Sequence, residues 1–66
     1  MYPNLRAEMA RKNVTSTMLA EELGITLGTF SMKFNGKSEW LFSEVANIKK
    51  YLGVDMPIET LFSKEG

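Results

Sequence analysis

The feature that most constrains the fold of this chain is a small residue followed four positions later by a glycine, Ala20 and Gly24. Glycine ends helices because it adopts a left-handed backbone conformation without a Cβ clash, so one helix is expected to stop at Gly24. The small side chain of Ala20 lets a second helix approach the first one closely. Residues 15–36 are therefore predicted to form two short helices joined by a tight turn.

Capping and apolar residues set the limits of these two helices. Thr15 and Thr26 can cap their N-termini, since a hydroxyl accepts hydrogen bonds from the free amides of a first turn. Ile25 is expected to enter the core just after the turn. The inward residues are Met18, Leu19 and Leu23 in the first of these helices and Phe30 and Phe34 in the second. This layout is that of a helix-turn-helix, with its second helix over residues 27–34.

The apolar residues elsewhere predict three more helices around this motif. A first helix starts near Pro3 or Asn4, and a fourth ends at Gly53. A last helix is expected over about 55–64, with Asp55 as its cap and Pro57 in its first turn. The inward residues are Leu5, Met9 and Val14 in the first helix, Trp40, Phe42, Val45, Ile48 and Leu52 around the fourth, and Leu61 in the last. The prediction is an all-α, compact five-helix fold in one domain, 1–66.

Composition excludes several classes of function. The sequence has no cysteine and no histidine, so disulfides, zinc sites and histidine-based acid-base chemistry are not expected. We expect no enzyme activity, no cofactor and no metal, because no nucleophile and base can be assembled from these residues. No apolar run approaches the roughly 20 residues that span a bilayer, and no signal-peptide pattern opens the chain. A soluble, cytoplasmic protein is the expectation.

The motif residues resemble a known family. Leu19, Ala20, Leu23, Gly24, Ile25 and Phe30 are similar to the helix-turn-helix of the Cro and lambda-repressor type, the xenobiotic-response-element-like DNA-binding family. The likeness covers about residues 5–62, because Phe34-Asn35-Gly36 and Leu52-Gly53-Val54 also match the family pattern. It implies a lambda-repressor-like fold and DNA binding through the second helix of the motif. An arginine and a glutamate that pair in many members are both apolar here, Met9 and Phe34, as a buried contact permits.

The resemblance also implies which residues face DNA. The base-facing positions fall on Thr26, Leu27, Gly28, Thr29 and Met32. The phosphate-facing positions fall on Ser16, Lys33, Asn35, Lys37 and Ser38. The base-facing set is poor in hydrogen-bonding side chains, so phosphate contacts are better supported than base reading. Lys33 stands where the family usually has an apolar residue, and its ammonium is expected to extend toward phosphate over the core edge.

Two of these groups have a second interpretation. Leu27 and Met32 also suit a contact with another protein, and Asn35 to Ser38 also suit an ordinary turn. Trp40 is expected to pack in the core rather than to stack on a base. The cations of the first helix, Arg6, Arg11 and Lys12, are expected to face solvent rather than phosphate.

Charge gives a mixed indication of the partner. The eight basic and eight acidic residues cancel, and the pI of about 6.2 is low for a DNA-binding module. Between Thr26 and Ser38, however, there are two lysines and no carboxylate, whereas three carboxylates follow Tyr51. Two functions therefore stay open. One is a sequence-specific transcriptional regulator of the phage Cro or repressor type that occupies operator DNA, and the other is a helix-turn-helix used as a protein-protein interaction module, as an adaptor or anti-repressor.

Family members bind two half-sites about one helical turn apart as symmetric dimers, so the resemblance implies a homodimer on double-stranded DNA. Ile58 and Phe62 are the candidate dimer contacts, because the last helix is too apolar for a free tail.

Overall fold

Five α-helices make up the fold in the computed structural model, which describes residues 1–64. They are α1 Pro3–Arg11, α2 Ser16–Leu23, α3 Leu27–Phe34, α4 Phe42–Leu52 and α5 Ile58–Leu61. Helix α2 packs against α3 and α4, while α5 packs against α4 and α1. The predicted all-α, five-helix fold class is confirmed. Within residues 1–64, no helix has the length and apolar character that a membrane span requires.

The ends of the helix-turn-helix follow from its caps. The Thr15 hydroxyl accepts from the Met18 amide at 3.2 Å, and the Thr26 hydroxyl accepts from the Thr29 amide at 3.1 Å. Gly24 closes α2 with φ 72°, in the left-handed region that favours glycine. Caps of this kind each stabilise a helix by about 1 kcal/mol, and they favour a helix that begins at the capped position. Both helices of the motif therefore lie where the sequence predicted them.

An aromatic cluster joins four parts of the chain, and its members are Tyr2, Phe30, Phe34, Trp40 and Phe62. The Tyr2 ring lies 6.5 Å from Phe34, 6.3 Å from Trp40 and 6.1 Å from Phe62, centroid to centroid. Around it lie the buried apolar residues Leu5, Met9, Leu19, Ala20, Ile48, Leu52 and Leu61. The cluster holds the end of α3 against the start of α1 and the end of α5, so it fixes α3 from the inside. Trp40 is a packing residue, as predicted.

Two expected core residues lie outside the core. Phe42, the first residue of α4, is 76% exposed, and it is the Trp40 ring that packs against Phe30 and Phe62. Met18 is 36% exposed, since its thioether lies over the start of α2 and accepts from the Thr15 amide at 3.4 Å. The prediction of both as core was wrong.

The last helix is shorter than the predicted 55–64. It spans Ile58–Leu61, with Pro57 rather than Asp55 at its N-cap. Leu61 is fully buried, as expected, and the Asn4 side-chain amide donates to the Thr60 carbonyl at 2.9 Å, which ties α1 to α5.

Candidate nucleic-acid interface

The exposed residues of α3, which together form its outer face, are Leu27, Gly28, Thr29 and Met32. Leu27 is 48% and Met32 is 49% exposed, and Gly28 and Thr29 are exposed as well. Gly28, Thr29 and Met32 lie on the side of the helix away from the buried Phe30 and Phe34, whereas Leu27 lies on the same side as Phe34 and is exposed as the first residue of α3. All four residues predicted to read bases from within α3 are therefore exposed, three of them on its outer side and Leu27 at its first position.

The N-terminus of α3 orients one hydroxyl on this face. The Thr26 hydroxyl donates to the Thr29 hydroxyl at 3.0 Å while it accepts from the Thr29 amide. Thr26 thus has a capping role and is already engaged within the chain. Because the Thr29 oxygen accepts from Thr26, its own proton is free to be donated to an external acceptor.

Ser16, the first residue of α2, is half-buried at the other end of the motif. The Thr15 hydroxyl and carbonyl accept from Met18 and Leu19, but within residues 1–64 the amides of Ser16 and Thr17 have no acceptor. Free amides at a helix N-terminus carry partial positive charge, which favours an anion such as a phosphate. The position is suitable for the predicted phosphate contact.

The 35–38 loop follows α3 directly, and its backbone is turned toward that helix. The amides of Asn35, Gly36, Lys37 and Ser38 all donate to α3 carbonyls, at 2.9, 3.1, 2.8 and 3.3 Å. None of these amides is free for a phosphate. Any phosphate contact from this loop must therefore come from side chains, and Asn35 and Lys37 are exposed while Ser38 is half-buried.

Lys33 differs from its predicted orientation. Its ammonium donates to Glu44 Oε1 at 2.6 Å, and the two side chains are only 11% and 10% exposed. The ammonium is therefore turned inward to α4 and does not extend toward the solvent. Burial by itself raises the pKa of Glu44, but the hydrogen bonds from Lys33 and from the Leu41 amide, with the Lys33 charge, outweigh burial and hold that pKa below its usual value.

Arg6 is exposed, as the sequence predicted, and it also lies beside the end of α3. Its guanidinium carbon is 4.8 Å from the centroid of the Phe34 ring, which is a cation-π distance. Arg11, on the same helix, is instead bound to Glu8. Sequence reasoning missed Arg6 as a partner of this region, and it did not consider Glu44. The signal for Arg6 was the aromatic residue at position 34. The signal for Glu44 was its place three residues after Leu41, the N-cap of α4.

The two predicted dimer contacts are partly used within the chain. Phe62 is half-buried, and its ring makes edge contacts with Tyr2 and Trp40. Ile58 is half-buried on α5. The most exposed apolar side chains lie elsewhere, at Leu41 and Phe42, which are 59% and 76% exposed.

Two short helices at a glycine turn, with the outer face of the second uncovered, define a helix-turn-helix DNA-binding domain. The sequence matches the family model for the Cro/C1-type HTH DNA-binding domain over residues 4–63. The chain belongs to this family, and the resemblance found in the sequence is confirmed. Comparison with curated proteins and with solved structures gave no match. The family establishes the broad function, that of a DNA-binding regulator.

Proposed function

We propose that this protein is a sequence-specific transcriptional regulator of the phage Cro or repressor type, which occupies operator DNA with the outer face of α3 in the major groove. The observation that carries the proposal is the exposure of Gly28, Thr29 and Met32 on one carboxylate-free side of α3, with the exposed Leu27 at its first position. Thr29 donates to a base edge, and Leu27 and Met32 contact thymine methyls. Thr26 caps α3 and keeps the Thr29 hydroxyl in place.

Phosphate contacts on both sides of α3 hold it in register in this proposal. On one side are Ser16 and the free amides of α2, and on the other are Asn35, Lys37 and Ser38. Arg6 adds a second cation near the end of α3. Lys33 is not among the phosphate contacts, because its ammonium is bound to Glu44.

The proposal includes a homodimer on DNA, since two half-sites supply enough contacts for a domain with so few cations. Ile58 at the edge of α5, with the exposed side of Phe62, is the proposed contact. Sedimentation of the protein with and without a palindromic DNA fragment tests this assignment. A monomer on DNA at high micromolar protein concentration contradicts it.

A second candidate is a protein-protein interaction module. It is favoured by the zero net charge and by the apolar side chains that make up half of the outer face of α3. In this case Leu27 and Met32 are buried against a partner protein rather than in a DNA groove.

Selection of bound sequences from a random DNA pool at two ionic strengths separates the two functions. Each neutralised phosphate makes the dependence of log affinity on log salt steeper, by about 0.9 in the magnitude of the slope. If Arg6 and Lys37 act in each half of a dimer, affinity falls about 100-fold between 50 and 200 mM salt. Enrichment of one sequence motif with this salt dependence supports the regulator. No enrichment at low salt rules it out and favours the interaction module.

A further inference from the structure

We propose that Lys33 and Glu44 form a positioning pair for DNA binding, whose buried contact fixes the last turn of α3 to the start of α4 and thereby orients both the outer face of α3 and the 35–38 loop. The inference rests on the proposed function, because it takes α3 as the DNA-reading helix. It assigns Lys33 a role different from the phosphate contact that the sequence predicted.

One carboxylate oxygen connects three segments at this point. Glu44 Oε1 accepts from the Lys33 ammonium at 2.6 Å and from the Leu41 amide at 2.9 Å. Lys33 belongs to α3, Leu41 ends the connection between α3 and α4, and Glu44 lies in the first turn of α4. The connection is therefore held at both ends, because the amides of the 35–38 loop bind α3 carbonyls at its start.

The pair provides orientation more than stability. Both side chains are almost fully removed from solvent, and the cost of desolvating two charges offsets most of their attraction. Short charge-assisted hydrogen bonds are directional, however, whereas apolar contacts are not. A neutral side chain at position 33 would still fill the space, but it would leave the last turn of α3 free to shift against α4.

Two substitutions separate a positioning role from a direct phosphate contact. Glu44→Gln keeps the shape and an acceptor for the Leu41 amide, and it leaves Lys33 without its counter-charge. If Lys33 positions α3 through Glu44, affinity for the selected DNA falls about tenfold with an unchanged salt slope. If Lys33 instead contacts phosphate, the same change frees the ammonium and removes a negative charge, so affinity rises.

Lys33→Met gives the complementary test. A positioning role predicts that Lys33→Met lowers DNA affinity and keeps the wild-type salt slope. The double variant, Lys33→Met with Glu44→Gln, should then bind DNA no more weakly than the single variant with the lower affinity. A phosphate contact predicts a slope smaller by about 0.9 in each protomer. Two exposed neighbours serve as controls: Lys37→Gln should lower the slope, and Glu39→Gln should not weaken binding.

Hydrogen exchange in the free protein tests the pair independently of DNA. Each single variant keeps an acceptor for the Leu41 amide, but a neutral glutamine accepts more weakly than a carboxylate, and in Lys33→Met the carboxylate is no longer held by the ammonium. The amide of Leu41 should therefore exchange faster in both single variants than in the wild type, while that of Leu19 in α2 should not change. Circular dichroism checks that each variant is folded. If Glu44→Gln does not fold, the results for Lys33→Met decide whether the inference holds. Any one of three results would overturn the inference. These are tighter DNA binding by Glu44→Gln, a smaller salt slope in Lys33→Met, and unchanged affinity and exchange in the folded variants. If the wild type binds no DNA while exchange changes as expected, the proposed function fails and the structural role of the pair stands.

Discussion

Gly28 offers the sharpest test of how closely α3 approaches its partner. It is the second residue of α3, it lies on the outer face, and its φ is not in the left-handed region. A Cβ at this position would meet only the Thr26 hydroxyl oxygen, at 4.0 Å, which is ordinary van der Waals contact. The protein alone therefore has no need for a glycine here.

In the free protein Gly28→Ala should be stabilising. Alanine in place of a helical glycine is worth about 0.5–1 kcal/mol, and the lower value applies in a first turn. For a domain of this size, 0.5 kcal/mol raises the melting temperature by about 2–4 °C. Thermal unfolding followed by circular dichroism measures this shift.

In the proposed complex with DNA the same methyl group should have the opposite effect, because it would occupy the space between the α3 backbone and the base edges. We expect a loss of affinity of about tenfold, or 1.4 kcal/mol, in a fluorescence anisotropy titration with the selected DNA. Ser43→Ala is the matched control, since Ser43 is exposed at the equivalent second position of α4. It should stabilise the fold without affecting DNA affinity. A Gly28→Ala variant that is stabilised and binds DNA as well as the wild type would refute the close approach of α3.

Three further expectations concern charge, pH and packing. Arg6→Gln should reduce the salt slope of DNA binding by about 0.9 per protomer, whereas Arg11→Gln should leave it unchanged because Glu8 holds Arg11; equal effects of the two changes would contradict this. The pKa of Glu44 is lowered in the folded state, so its stabilising effect is complete at neutral pH and is lost as the pH falls below the usual glutamate value of about 4.3. Melting curves between pH 6 and about pH 3 should therefore fall more steeply for the wild type than for Glu44→Gln, and parallel curves would argue against it. In urea unfolding, Phe42→Ser should change stability by no more than about 0.5 kcal/mol, because the ring is 76% exposed.

The helix-turn-helix could be predicted from sequence because its signals are local. Thr15, Gly24 and Thr26 act on amides within a few residues of themselves, so their effects do not depend on the remainder of the chain. The burial of Phe30 and Phe34 followed from their spacing on one helix.

The parts that were missed depend on contacts between distant segments. Tyr2 precedes the predicted start of the first helix and was not predicted as a core residue, yet its ring contacts three other rings of the aromatic cluster. Lys33 looked like a cation for phosphate because its partner, Glu44, lies on another helix. Phe42 matched the apolar spacing of α4, but the ring that packs against Phe30 is that of Trp40, which precedes the helix. The apolar spacing along one helix does not show which of two neighbouring aromatic residues, here Trp40 and Phe42, packs in the core.

The hydrogen bonds between the 35–38 loop and α3 make residues 27–38 one continuous unit that carries the proposed base-facing and phosphate-facing side chains together. Residues 27–38 could therefore be grafted as one unit onto another domain of the same architecture. The graft should transfer the proposed contacts with the DNA groove together with those to the phosphates on one side of α3. The recipient would need a glutamate at the start of its fourth helix to receive Lys33. Retargeting this protein to a new operator would then require changes only at solvent-exposed positions of α3, with the interior left intact.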